Sequence, residues 1–151
     1  MSIIPEKYTS LSPLQEQYRE FWISFNAQSL CHSAFSSTFK VHPIPSIRCY
    51  QDYSVGKPYH LVFKVDFKKK LFVVMIYFNN VPTYIEYYEQ YRARIEAELG
   101  YECEWKEQTT KGSAGKFFCA DLYDKNQYDK IADKMMNEGL RMVKIFNKYS
   151  E

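Results

Sequence analysis

Two neighbouring segments constrain this chain more than any other feature. In Tyr59 to Phe67, the apolar residues Leu61, Phe63, Val65 and Phe67 alternate with His60, Val62, Lys64 and Asp66, the period-2 pattern of a half-buried strand. In Leu71 to Phe78 every position is apolar, which predicts a central strand covered on both faces. Only Lys68-Lys69-Lys70 separates the two. They therefore pair as a hairpin whose tip carries three positive charges and lacks the usual Asn-Gly. A third strand segment, Ile47 to Tyr53, precedes them and completes an antiparallel meander.

Helices flank this meander. Ser12-Pro13-Leu14-Gln15 combines an N-cap serine, a proline at the first helical position and a glutamine that closes a capping box. Leu14, Tyr18, Phe21, Trp22 and Phe25 then fall on one helical face. From Ser29 to Pro45 the chain is rich in serine and ends in His42-Pro43-Ile44-Pro45, which predicts an extended connector. After Asn79-Asn80-Val81-Pro82, a stripe of Tyr84, Tyr88, Tyr91, Ile95 and Leu99 predicts a second helix stopped by Gly100. Tyr101 to Lys106 and Lys116 to Tyr123 read as a second hairpin around a polar, glycine-containing loop. A last helix begins near Asp124 to Asn126 and carries Tyr128, Ala132, Met135, Gly139, Met142, Phe146 and Tyr149 on one face. The expected fold is α+β: one mainly antiparallel sheet packed with three helices in the order αβββαββα. Residues 1–151 form a single domain with an ordered core of about 12–149.

Bulk properties narrow the function classes. Aromatic residues make up 18% of the chain, with 14 Tyr, 11 Phe and 2 Trp, so much of the core reaches the surface as tyrosine. The longest apolar run, Leu71 to Phe78, falls far short of the roughly 20 residues that cross a bilayer. The start, Met1-Ser2-Ile3-Ile4-Pro5-Glu6-Lys7, lacks the features of a secretion signal, which argues for a cytoplasmic location. Cys31, Cys49, Cys103 and Cys119 show no metal-ligand spacing and read as reduced, mostly buried thiols. No cofactor or metal site is expected. A formal charge of +2 is too small for general attraction to DNA, so a nucleic-acid role needs a local patch.

Three stretches carry a resemblance: Leu14-Gln15-x-x-Tyr18-x-x-Phe21-Trp22, Gly56-x-x-x-His60-Leu61, and the run from Arg94 through Ile95-Glu96-Ala97-Glu98-Leu99-Gly100 to Trp105. Together they resemble an uncharacterised prokaryotic family, a domain of unknown function of about this length. That family occurs alone and also C-terminal to predicted restriction-type or defence-associated nucleases. The likeness runs from about Leu14 to Tyr149. It implies an association with nucleases and supplies no catalytic residues.

The residues themselves offer several candidates. Asp52, Asp66 and Lys68 have the composition of a magnesium-dependent nuclease site, competing with an ordinary solvated turn. Arg48, Tyr50 and Asp52 neighbour His60, Lys64 and Asp66 on the outward face if the register allows, forming either a binding surface or a polar solvent face. Lys68, Lys69 and Lys70, aided by Lys57 and Lys64, offer contacts to phosphate or serve solubility. Tyr84, Tyr87, Tyr88 and Tyr91 could stack bases but read more simply as core lining. Lys111-Gly112-Ser113-Ala114-Gly115-Lys116 has the wrong spacing for a phosphate-binding loop.

The leading expectation is a noncatalytic recognition or interaction module that uses the polar sheet face and the basic hairpin. Nucleic acid, a nuclease protein and a second copy of the chain are the candidate partners. The alternatives are a small magnesium-dependent restriction-like nuclease and a homo-oligomeric assembly domain.

Overall fold

The computed structural model describes residues 10–150. The reading of Met1 to Lys7 as lacking a secretion signal lies outside them. Five strands form one antiparallel sheet in the order β1-β2-β3-β5-β4: β1 Tyr50–Ser54, β2 Tyr59–Asp66, β3 Leu71–Phe78, β4 Glu104–Glu107 and β5 Gly112–Cys119. The helical segments are α1 Pro13–Cys31, α2 Ser33–Thr38, α3 Val81–Glu86, α4 Arg92–Leu99 and α5 Tyr128–Asn147. A π turn, Tyr87–Tyr91, joins α3 to α4 in one rod, so the described residues hold four helical bodies rather than three.

The extra body is α2, inside the segment expected to be extended. His32 Nδ1 accepts a hydrogen bond from the Phe35 amide at 3.2 Å, capping the new turn. Phe35 is fully buried among Phe25, Phe39, Tyr53 and Phe63. One anchored aromatic outweighs the local preference of a serine-rich stretch, because burying a phenylalanine contributes about 1.5–3 kcal/mol. α1 begins with the expected capping box between Ser12 and Gln15. Its buried face is Phe21, Trp22, Phe25, Asn26 and Ser29, displaced toward the C-terminus, and Leu14 is exposed.

β5 starts four residues earlier than the sequence indicated. Gly112-Ser113-Ala114-Gly115 runs as strand because small side chains let neighbours close over it. A Cβ on Gly112 would lie 2.4 Å from the Tyr84 ring, and one on Gly115 would lie 2.8 Å from Met75 Cβ. The β2–β3 turn closes without Asn-Gly: Asp66 Oδ1 accepts from the Lys69 amide at 2.9 Å, and Lys70 takes a left-handed φ of 53°.

The core lies between the sheet and the helices. Tyr53, Leu61, Phe63, Val65, Phe72, Val74, Ile76, Phe78 and Ala114 meet Phe21, Trp22, Phe25, Tyr87, Met135, Met142 and Phe146. Two amide side chains complete it. Asn26 Nδ2 donates to Gln51 Oε1 at 3.3 Å, and Gln51 Nε2 donates to Asn26 Oδ1 at 2.9 Å and to the Tyr53 hydroxyl at 3.0 Å. Gln51 Oε1 also accepts from the Ser46 amide, so α1, the connector and β1 are tied through groups that leave no polar atom unpaired. The cysteines depart from expectation: Cys31 and Cys119 are exposed, and Cys49 and Cys103 half-buried. Burial, with Glu96 beside it, pushes the Cys103 thiol up to about 12.

Burial likewise holds several phenols above their ordinary range, Tyr128 at about 12 and Tyr53, Tyr87 and Tyr101 in the same direction. In the unfolded chain these groups lose their protons near pH 10, so above that pH the native state binds more protons than the unfolded one. Their contribution is complete below about pH 10 and is lost as pH rises through about 12. Alkaline titration followed by tyrosinate absorbance should show a set of phenols that ionise only as the circular dichroism signal collapses. Titration of all phenols near pH 10 with the fold intact would contradict this.

Candidate binding surface on the open sheet face

All the helices pack on one face of the sheet, and among the described residues nothing covers the other. This corrects the expectation that β3 is enclosed on both sides. β3 is central, but outward-facing Leu71, Met75 and Tyr77 are only half-buried, and on the neighbouring strand Phe117 is exposed. Val62, Val73 and Ser113, walled in by their strand neighbours, are buried on that side.

Strand register decides what shares this face. Tyr50 pairs with Lys64, which pairs with Val73. Asp52 pairs with Val62, which pairs with Met75. Ser54 pairs with His60, which pairs with Tyr77. Further across, Met75 pairs with Gly115, Tyr77 with Ser113, and Ser113 with Lys106. The result is a basin of about 600 Å³ lined by Tyr50, Asp52, His60, Lys64, Tyr77, Lys106 and Lys111, with Val62 and Met75 in its floor. Gly115 keeps the floor low, since any side chain there would rise from between Met75 and Val73.

Polar contacts fix the walls. Arg48 Nη1 donates to the Tyr50 hydroxyl at 3.1 Å, and the Tyr77 hydroxyl donates to Gln108 Oε1 at 3.0 Å. His60 Nδ1 shares a hydrogen bond of 2.8 Å with Asn79 Oδ1, and its Nε2 lies 3.9 Å from Asp52 Oδ2. The Lys111 ammonium lies 5.7 Å from the Tyr77 ring centroid, and the His60 ring 5.3 Å from it. Three lysines and one carboxylate line the basin, an excess of positive charge despite the near-neutral whole.

The residues singled out in the sequence divide accordingly. Tyr50, Asp52, His60 and Lys64 come together, with Arg48 at their rim. Lys68, Lys69 and Lys70 are exposed at the β2–β3 turn, at the end of the sheet away from His60 and Tyr77. Asp66 serves that turn. It stands four residues along β2 from Val62, the partner of Asp52, so about 13 Å of strand separates the two carboxylates. No group of three or more His, Cys, Asp or Glu among the described residues is arranged to hold a metal ion. Tyr84 and Tyr87 are buried and Tyr88 is exposed, its ring under the Arg92 guanidinium at 4.2 Å. Sequence reasoning missed Tyr77, Lys106 and Lys111. Tyr77 is placed on this face by its pairing with His60, since the uniformly apolar β3 segment shows no alternation, and the two lysines reach the basin only because β5 inserts between β3 and β4.

A family model described as a domain of unknown function, DUF4268, matches residues 17–150. The chain belongs to this family. No curated protein and no solved structure matches it. In this DUF4268 chain the run from Ile95 to Trp105 that resembled the family has a structural purpose. Ile95 and Leu99 are buried. Glu96 Oε2 accepts from the Cys103 amide at 2.7 Å and from Trp105 Nε1 at 3.2 Å, fastening α4 to the start of β4. Glu98 pairs with Lys148 at 2.5 Å and accepts from the Tyr149 hydroxyl. Gly100 ends the helix at a φ of 84°, a left-handed cap that glycine adopts without steric cost, and Arg141 donates to the Leu99 carbonyl. Glu96 thus joins α4 to β4 and Glu98 joins α4 to the end of α5, whereas Glu104, opposite Gly115 in the ladder, lies on the open face beside the basin.

Proposed function

We propose that this DUF4268 chain is a noncatalytic recognition module that takes a nucleic acid onto the open sheet face, in the setting of prokaryotic nuclease or defence systems. The observation that carries the reading is the basin itself, a concave, uncovered surface where Lys64, Lys106 and Lys111 face one carboxylate, Asp52. Positive groups in such a depression focus the field and attract phosphate despite a small net charge. The Lys68–Lys70 tip extends the basic surface beyond the basin. No helix among the described residues is long and apolar enough to cross a membrane, which agrees with the cytoplasmic setting this role needs. A magnesium-dependent nuclease draws no support from the geometry, because Asp52 and Asp66 stand well apart and Asp66 is occupied by the turn.

Retention of labelled mixed-sequence DNA and RNA at about 50 and 200 mM salt, with magnesium or chelator, tests the reading. The expected result is salt-sensitive binding that is indifferent to chelator, leaves the strand intact, and falls at least tenfold in the Lys64→Glu, Lys106→Glu double variant. Cleavage that requires magnesium and disappears on Asp66→Ala would replace the reading with the nuclease. Absence of binding at either salt would remove nucleic acid from the account.

A further inference from the structure

Resting on that reading, we infer that the open face receives a single strand of nucleic acid, with bases stacked on Tyr50 and Tyr77 and phosphates held by the surrounding lysines. Both rings are tethered at their hydroxyl tips, Tyr50 by Arg48 and Tyr77 by Gln108. The tethers hold the rings by their tips. Tyr50 is 37% exposed, and Tyr77 is half-buried with the flexible Lys111 ammonium 5.7 Å from its centroid, so a base at Tyr77 takes that lysine's place and leaves it to the phosphate. An ordered phenol accepts a base with little loss of side-chain freedom, and stacking of this kind is indifferent to base identity.

The spacing suits a short run of nucleotides. Lys64, the pairing partner of Tyr50, lies four residues along β2 from His60, the partner of Tyr77. The two tyrosines are thus about 13 Å apart along the strands and about 10 Å across them. Between them Val62, Met75 and the bare backbone of Gly115 form an apolar floor. Lys64 stands at one end of this track, with Lys106 and Lys111 at the other.

Alternative occupants fit less well. A duplex hides its base faces in the stack and offers phosphates and groove edges, leaving the two rings and the apolar floor without partners. Lysine is depleted in the cores of protein interfaces, yet three lysines line this basin. A partner that binds by adding a strand uses a sheet edge, and this surface is a face.

Fluorescence anisotropy with a labelled 12-nucleotide single strand, its duplex, and an abasic strand of equal length decides the matter. The protein is used whole, as wild type and as Tyr50→Ala, Tyr50→Phe, Tyr77→Ala, Tyr77→Phe and Lys64→Ala, each checked for unchanged circular dichroism. The single strand should bind more tightly than the duplex. Removing the bases, or either ring, should weaken binding about 5- to 100-fold. The phenylalanine variants, which keep the ring and lose only its tether, should bind more tightly than the alanine variants, and Lys64→Ala should weaken the base-bearing and abasic strands alike. Equal binding of abasic and base-bearing strands, or alanine variants that bind like wild type, would overturn the stacking inference and leave an electrostatic recognition module standing. Failure of every probe to bind wild type would overturn the underlying reading and the inference with it.

Discussion

Truncating Phe63 to alanine will lower the stability of the fold by about 3–5 kcal/mol, the usual cost of removing a fully enclosed aromatic ring. Phe63 is the hub of the sheet-to-helix contact. It has no exposed surface, and its ring centroid lies 5.3 Å from Phe25, 5.6 Å from Tyr53 and 5.9 Å from Phe35. Those rings come from α1, β1 and α2, so one truncation opens a void that three separate elements border, and none can collapse into it alone. Urea denaturation should show the midpoint falling with the slope unchanged. A loss below about 1 kcal/mol would mean that the site repacks and that the enclosure described above is not rigid.

Gly139→Val, on α5, should be nearly as damaging, by about 3 kcal/mol, and for the opposite reason. By helix propensity alone, replacing a glycine inside a helix is stabilising. A Cβ at this position, however, would meet Phe63 Cζ at 2.7 Å, Phe63 Cε1 at 2.8 Å and Leu61 Cδ2 at 3.1 Å. The ring that would have to yield is the one held on three sides, so overpacking dominates. The two substitutions are coupled in a definite direction. In the Phe63→Ala, Gly139→Val double variant, the valine enters the space the ring vacates. The double should be less destabilised than the sum of the singles by about 1 kcal/mol or more. Strict additivity would show that α5 does not approach the sheet at this point.

The same close approach shows what was legible in advance. The 3.6-residue stripe on the last helix included Gly139 among its core positions, and the alternation in Tyr59 to Phe67 put Phe63 inward, so both partners were identified although their contact was not. β3 was placed to the residue and at the centre of the sheet, since nothing else in the chain is apolar for eight positions. Its enclosure was wrongly inferred because apolarity reports a need for neighbours, and wide side chains on adjacent strands can meet that need without a second layer, as they do at Val73. The helix at Ser33–Thr38 was invisible because its cause, the anchoring of Phe35 by rings distant in sequence, is tertiary. The early start of β5 was missed because Gly112 to Gly115 has loop composition, and its strand conformation depends on Tyr84 and Met75 closing over it. Of the open face, half was readable: the Tyr50, Asp52, His60 and Lys64 group followed from one local hairpin. The Tyr77, Lys106 and Lys111 side required knowing which strands adjoin, information that no periodicity contains.

The π turn at Tyr87–Tyr91 bears on where this chain tolerates a change in length. Such a turn is an α-helical rod carrying one residue more than its hydrogen-bond ladder requires. It brings Tyr87 rather than Tyr88 into the core while leaving Glu89 and Gln90 in solvent. Excision of Glu89 or Gln90 lets the ladder close as uninterrupted α-helix, with Tyr84 behind and Ile95 ahead still facing the sheet. The same excision beyond Ile95, at Ala97, lies outside the stretch that holds the surplus and swings Leu99 about 100° around the axis relative to Ile95, out of the core.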